Sequence, residues 1–427
     1  SLYRVAVSGR IQGGGSTITM QVAGNYLTSR DISLFRKIKD IFLDNGNWWR
    51  FFLLYRQYLR ISIIINVLKM IVCGTTFMGF KYYICALCYS IKQVCFTCKC
   101  RFCTSCGRKA TENWIRNNNA KIPDTTWQHI TFTMPKQFWN LFWLNRHLFN
   151  LVAPIPPKII KEYCLKKGCI PGIFMAIHTF GRDLKRNVHF HLSSTCGGLN
   201  KPLFTWIPVF FYAEPIKKRW RYLLIKTLKE EFAKGNLKLP KNMKHIKNQS
   251  QFNAWINQFS RKKWMVFLQK QSANKKTNID YLGRYLKRPP LAEARITQYD
   301  RKTVSFTFFD HKTKSTKTNK MPVQIFLGKL VAHIPDKHFR CIRYYGFLSN
   351  RTRSLLLPIV NNLLGNPVSS VPTTLTWQDL IKFEFNHDPL QCQRCHVQLC
   401  LAGVTFPKKA TILMQYHKQL ALQHVGC

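Results

Sequence analysis

The chain has 427 residues, with 66 Lys+Arg against 18 Asp+Glu and a net charge of +48; this length allows two or three domains with real cores, and a solvated surface alone does not call for so much charge. Such a field attracts polyanions, nucleic acid first and an anionic membrane surface second. The most apolar stretch, Phe51 to Val72, is interrupted by Arg56, Arg60 and Lys69, so it excludes a membrane span, which needs about 20 nearly uncharged residues.

Residues 1–43 differ in style from the rest of the chain, which begins without Met. Gln12-Gly13-Gly14-Gly15-Ser16-Thr17-Ile18-Thr19-Met20-Gln21, then Ser29-Arg30 and Arg36-Lys37-Ile38-Lys39-Asp40, resemble the peptidoglycan glycosyltransferase domain of class A penicillin-binding proteins. The Glu-Asp motif that supplies that family's catalytic glutamate is missing, and Asp40 stands where a second glutamate is usual. Residues 1–43 are therefore expected to be a severed fragment without glycosyltransferase activity.

From Asn47 the character changes. Trp48 to Met70 predicts one or two basic amphipathic helices. Eight of the 16 cysteines lie between Cys73 and Cys106, a clustering that points to metal in a reducing compartment rather than to a disulfide framework. Cys85-x2-Cys88 and Cys103-x2-Cys106 have the spacing of two knuckles that close one tetrahedral zinc site. Cys73 and Cys98 are left for a second site or as replacements. Lys99, Arg101, Arg108 and Lys109 between and after the knuckles suit phosphate contact.

Further along, Ala110 to Asn119 predicts a helix, Gln128 to Thr133 a strand, Phe138 to Leu151 an aromatic core helix and Ile173 to Phe180 another strand. Gly181 to Arg186 turns the chain into Asn187-Val188-His189-Phe190-His191-Leu192-Ser193. Alternation there puts Val188, Phe190 and Leu192 on a core face and His189 and His191 side by side on the other. Two imidazoles on a rigid strand can hold one divalent metal. Gly197-Gly198 is expected to end that strand. Arg221 to Phe232 and Gln251 to Phe259 predict helices, and Trp264 to Leu268 a short strand. Asn278 to Arg288 predicts a helix stopped by Pro289-Pro290. Tyr281 and Tyr285 share one face of it, beside Arg284, Lys287 and Arg288. Val304 to Phe309 predicts a strand, Lys312 to Lys320 a basic turn, His338 to Phe347 a basic aromatic strand and Arg351 to Leu364 a helix. Cys392-x2-Cys395 and Cys400 stand near the C-terminus, and one CxxC alone lacks two ligands of a tetrahedral site.

Taken in order, Phe96 to Gly107, His129-Ile130-Thr131-Phe132-Thr133, His178 to Leu184 leading into His189-Phe190-His191, and Tyr281-Leu282-Gly283-Arg284-Tyr285 resemble the zinc-ribbon-bearing HUH transposases of rolling-circle insertion sequences. The resemblance covers about residues 47–405. It implies an α+β fold in which an antiparallel HUH sheet with helices is preceded by a small Cys-rich zinc module. It divides the chain into a fragment at 1–43, a helical and zinc-binding domain at 47–118, a catalytic domain at 125–365 and a C-terminal tail at 366–427. It also implies single-strand nicking and strand transfer through a 5′-phosphotyrosine, with His189 and His191 as ligands of a catalytic Mg²⁺ or Mn²⁺ and Tyr281 and Tyr285 as the tyrosine pair. The third ligand is open, with Gln269 and Gln271 as candidates; Cys100 is not carried over. Structural Zn²⁺ on Cys85, Cys88, Cys103 and Cys106, DNA contacts from Arg101, Lys109, Arg284, Lys287 and Arg288, single-stranded DNA as partner, no membrane, and a cytoplasmic, nucleoid-associated location complete the expectation. The competing reading is a zinc-containing DNA-binding protein that does no chemistry and is indifferent to both tyrosines. A carboxylate-triad transposase finds few acidic candidates in this chain.

Overall fold

A computed structural model describes residues 37–418 apart from 263, 273–278, 280–282, 284–289, 311–312, 367–375, 380–381, 383–385, 408–410, 413 and 416. In chain order, three helices come first: α1 (Lys37–Leu43), α2 (Asn47–Tyr55) and α3 (Ile61–Ile71). The hairpin β1 (Phe80–Ile84) and β2 (Ile91–Cys95) leads to α4 (Thr104–Lys121) and β3 (Trp127–Thr133). Next are α5 (Lys136–Leu144), α6 (Leu148–Val152), α7 (Ile155–Leu165), β4 (Ile170–Phe180), β5 (Arg186–Asn200) and β6 (Thr205–Pro208). Then come α8 (Ala213–Ala233), α9 (Gln249–Asn257), β7 (Val266–Leu268), β8 (Ile296–Tyr299), β9 (Thr303–Asp310) and β10 (Ser315–Pro322). The last are α10 (Val323–Ala332), β11 (Ile342–Gly346), α11 (Arg353–Leu363) and β12 (Cys400–Thr405). The fold is α+β with antiparallel sheets. No helix among the described residues is long and apolar enough to cross a membrane.

The chain divides into two units: Ser1–Leu59, Ile65–Cys106 and Thr373–Cys427 form one, Arg60–Ile64 and Gly107–Pro372 the other. In the first, α1 buries Ile38, Ile41 and Phe42, a spacing that puts them on one helical stripe. The Phe42 ring meets Trp48 at 5.7 Å and Phe102 edge-on at 5.9 Å. Asn47 donates its side-chain amide to the Ile41 carbonyl. Residues 37–43 thus belong to packed structure, although they lie within the stretch expected to be a severed fragment. The C-terminal stretch returns to this unit, because β12 pairs with β1 in a sheet of order β12-β1-β2.

The second unit is built on a sheet of order β11-β4-β5-β3-β7, with β6 added to β5, and on a meander of order β10-β9-β8. Val188, Phe190 and Leu192 point into a core with Ile130, Phe132, Ile173, Met175, Ile177 and Trp220 of α8. Trp220 meets Phe132 and Phe190 edge-on and gives its indole N–H to the Thr133 carbonyl at 2.7 Å. Each such buried aromatic contributes about 1.5–3 kcal/mol, so one face of the central strands is held rigidly.

Three elements differ from the sequence expectation. Strand β5 does not stop at Gly197-Gly198 but runs to Asn200. The glycines serve close packing instead, since a Cβ on Gly197 would lie 2.6 Å from Cε2 of Trp206. The aromatic helix is broken into α5 and α6 at Asn145, whose side chain bonds the Leu141 carbonyl and both backbone groups of Lys238. Residues 315–322 are not a basic turn but β10, paired with β9 along its whole length.

Candidate functional site

The histidines come together through strand register. On β5, His189 and His191 face away from the apolar core, as alternation requires. Its neighbour β4 places His178 opposite His189 and Ala176 opposite His191. On the other side, β3 places Thr131 opposite His191 and His129 opposite Ser193. Residues opposite one another share a face, so His129, His178, His189 and His191 all stand on the same side of the sheet. One nitrogen from each of His178, His189 and His191 lies within 4.8 Å of the others.

Outer contacts orient the rings. His189 gives its Nδ1–H to the Asn187 carbonyl at 2.9 Å, leaving Nε2 for a ligand. Nδ1 of His191 is 3.1 Å from Nε2 of His129, whose own Nδ1 is 3.2 Å from the Ser193 hydroxyl. Burial lowers the pKa of His189 to about 4. Burial, and then the neighbouring His189, does the same to His129. Burial and the three surrounding histidines hold His191 well below the usual imidazole range. At neutral pH these rings are uncharged, the form that binds metal.

His178 thus joins His189 and His191 in a group that could hold a metal ion, where the sequence offered Gln269 and Gln271 as candidates for a third ligand. Those two side chains are exposed. Gln269 bonds through its backbone N–H to the carbonyl of His129, on the edge side of β3, one strand away from β5.

Tyr281, Tyr285, Arg284, Lys287 and Arg288 lie outside the described residues. Two residues interleaved with them are described. Ile279 is helical and buried in a cluster with Trp114, Phe174, Ala176 and Leu199. Gly283 is helical and presses on α4, where a Cβ would come within 2.6 Å of Cδ1 of Ile115. Phe174 and Ala176 alternate with His178 along β4, so Ile279 packs on the histidine-bearing face.

The cysteines form two groups that differ from the expected one. Cys103 and Cys106 join Cys73 and Cys98, while Cys85 and Cys88 join Cys392 and Cys395. In the first group Cys73 and Cys98 each lie 3.6 Å, sulfur to sulfur, from Cys106. The Cys98 backbone N–H points at the Cys73 sulfur. Cys103 directly precedes α4 and Cys106 sits in its first turn, where unpaired N–H groups favour thiolates. Four thiolates about 2.3 Å from one zinc would stand about 3.8 Å apart, close to what is observed. The single site of Cys85, Cys88, Cys103 and Cys106 is thus corrected: the two knuckles take different partners. Cys100 is in neither group and bonds Asn66; Cys95 and Cys400 are also outside them. Arg101 is half-buried in the loop before Cys103, and Lys109 is exposed on α4.

Residues 172–355 match a family model described as a putative transposase, residues 47–134 a transposase zinc-binding domain, and residues 1–45 a transglycosylase. The chain is 34% identical over 395 residues to the transposase for insertion sequence element IS801 of Pseudomonas savastanoi pv. phaseolicola, covering 90% of this chain and 95% of that protein. It is 25% identical over 339 residues to the putative transposase y4qJ of Sinorhizobium fredii, covering 76% of this chain and 84% of that one. No solved structure matches. The zinc-binding match contains Cys73 to Cys106, and the transposase match contains His178, His189, His191, Tyr281 and Tyr285.

Proposed function

This chain belongs to the transposase family that includes the IS801 protein, and from that premise we propose that it nicks and rejoins single-stranded DNA at the ends of a rolling-circle element through a 5′-phosphotyrosine. A transposase acts on DNA, and a net charge of +48 suits that polyanion. The observation that carries the finer reading is the three-histidine face of β4 and β5, onto which Ile279 of the tyrosine-bearing segment packs.

His178, His189 and His191 are the residues that would hold a divalent ion. They fit one because each offers a nitrogen within 4.8 Å of the others and burial keeps the His189 and His191 rings neutral. Imidazole ligands lean towards Mn²⁺, availability towards Mg²⁺. When bound, the ion supplies Lewis-acid polarisation of the scissile phosphate. Tyr281 or Tyr285 gives up its hydroxyl proton and attacks the phosphorus in line. The Tyr O–P bond forms, the P–O3′ bond breaks, and the 3′ oxygen leaves and takes up a proton. The phosphodiester's energy stays in the tyrosyl ester, so rejoining needs no nucleotide cofactor. The second tyrosine acts at the other strand end while the first is occupied. Arg284, Lys287 and Arg288 beside the tyrosines, with Arg101 and Lys109, are assigned to the DNA backbone. Cys73, Cys98, Cys103 and Cys106 are assigned to structural zinc.

Incubating the protein with an end-labelled single-stranded oligonucleotide and Mg²⁺ or Mn²⁺ tests this reading. Denaturing electrophoresis should show DNA bound to protein, and peptide mapping should find it on Tyr281 or Tyr285. The double Tyr→Phe variant should bind DNA and form no adduct. An adduct on another residue, or cleavage that survives in that variant, overturns the assignment.

A further inference from the structure

We propose that the protein binds a second zinc ion, held by Cys85, Cys88, Cys392 and Cys395, and that this ion fastens the C-terminal segment to the Cys-rich unit. The four sulfurs lie within 4.8 Å of one another. Cys88 and Cys392 stand 3.6 Å apart, near the tetrahedral spacing and far from the roughly 2.0 Å of a disulfide.

The two halves of the site share one backbone design. In the first, the Cys85 N–H bonds the Ser90 carbonyl at 3.0 Å and the Tyr89 N–H bonds the Cys85 carbonyl at 3.0 Å. In the second, the Cys392 N–H bonds the Val397 carbonyl at 2.8 Å and the His396 N–H bonds the Cys392 carbonyl at 2.9 Å. The residue after the second cysteine is left-handed in both, Tyr89 and His396 each at φ 55°. Neither is a glycine, so both turns hold a conformation that side chains rarely adopt. Two unrelated stretches with the same strained turn, each presenting two thiols to the same point, form a pair of knuckles around one ion. The Ser90 hydroxyl, 3.1 Å from the Cys88 sulfur and 3.3 Å from that of Cys392, is placed to donate to a thiolate, as outer partners of metal ligands do.

Apolar packing here is small in extent: besides the cysteines, the cluster buries Tyr83, Leu390 and Leu399, with Val94, Trp377 and Val397 partly buried against it. It joins residues 304 positions apart, which is a long loop to close. Zinc binding would displace the thiol protons and make up that deficit. No assignment of a transposition step is involved, so the inference stands or falls apart from the nicking reading.

The test is zinc content of the full chain by elemental analysis, together with thiol alkylation read by mass spectrometry. Two zinc ions per chain are expected, with Cys392 and Cys395 protected from alkylation until a chelator is added. The Cys392→Ser/Cys395→Ser variant should keep one zinc, and the Cys103→Ser/Cys106→Ser variant should keep the other. The alkylation arm uses the unaltered protein and does not depend on any variant folding. One zinc in the unaltered protein, equal alkylation of Cys392 and Cys395 with and without zinc, or a recovered Cys88–Cys392 disulfide overturns the proposal.

Discussion

Nε2 of His129 lies 3.1 Å from Nδ1 of His191, and the two rings are stacked at 22°. This contact engages Nδ1 of His191 on the histidine-bearing face of the sheet. Under the proposed mechanism His129 acts as a positioning residue for His191. Removing such an outer partner typically costs 10–100-fold in metal affinity or activity. We expect His129→Ala to weaken Mn²⁺ binding and nicking by about that factor, with single-stranded DNA affinity unchanged. His129→Gln, which keeps a polar group near Nδ1, should recover part of the loss. Mn²⁺ titration followed by paramagnetic resonance reads the first effect; an unchanged affinity in the Ala variant would remove His129 from this role.

His178 and Gln269 offer a direct contrast. His178→Ala should abolish metal-dependent nicking as completely as His189→Ala or His191→Ala does. Gln269→Ala should retain it, because that side chain is exposed. Cleavage assays across a Mn²⁺ series distinguish the two, and a reversed order would return the third ligand to Gln269.

How far the site is legible in the sequence depends on range. His189 and His191 can be read because alternation and ligand fall within seven consecutive residues. His178 cannot, because its side depends on the register of β4 against β5, and a slip of one residue would turn it into the core. The cysteines repeat the lesson: spacing identifies a knuckle but not its partner. Cys85 and Cys88 look paired with the nearby Cys103 and Cys106, whereas the chain returns through β12 and brings Cys392 and Cys395 instead. The central strands and most helices are readable from periodicity. The run through Gly197 and Gly198 is not, since those glycines answer to the Trp206 ring rather than to a turn.

Gly283 tests how the tyrosine-bearing segment is seated. Gly283→Leu forces a side chain against Ile115. Overpacking of this kind costs about 1–3 kcal/mol, more than the ~1 kcal/mol gained from better helix propensity. Thermal unfolding should show the net loss, and nicking should fall further than DNA binding. A Tm at or above that of the unaltered protein would mean the contact is loose.

Phe42 sits where the transglycosylase-like residues end. It is fully buried between Trp48 and Phe102, so Phe42→Ala should cost about 3–5 kcal/mol. Truncation through residue 36 should leave the melting temperature unchanged, and truncation through residue 43 should lower it. Equal melting temperatures for the two truncations would show that α1 contributes nothing.

Acid should loosen the C-terminal segment through His417. Trp48 donates its indole N–H to Nε2 of His417 at 2.9 Å, and Trp49 and Phe52 enclose the ring. Burial lowers the pKa of His417 to about 4 from 6.5. The folded form therefore prefers the neutral ring. Its contribution is fully present above pH ~6.5 and is lost as the pH falls towards ~4. Tryptophan fluorescence should change across that window, and the change should be smaller in His417→Gln. Identical titrations would exclude His417 as the responsive group.

The pairing of Cys88 with Cys392 also sets a schedule for synthesis. A ribosome adding about 5–20 residues per second needs roughly 15–60 s to advance the 304 positions from one to the other. During that interval Cys85 and Cys88 wait as an open half-site and β1 lacks its partner β12, while the intervening 107–372 unit has all of its own strands as soon as it emerges. A chain cut short between residues 373 and 394 by a frameshift or a stop can complete the histidine face but never the first unit. Truncated copies of the gene would thus yield proteins recognisable by one exposed CxxC pair and an unpaired strand edge, the features that expose a chain to misassembly and proteolysis.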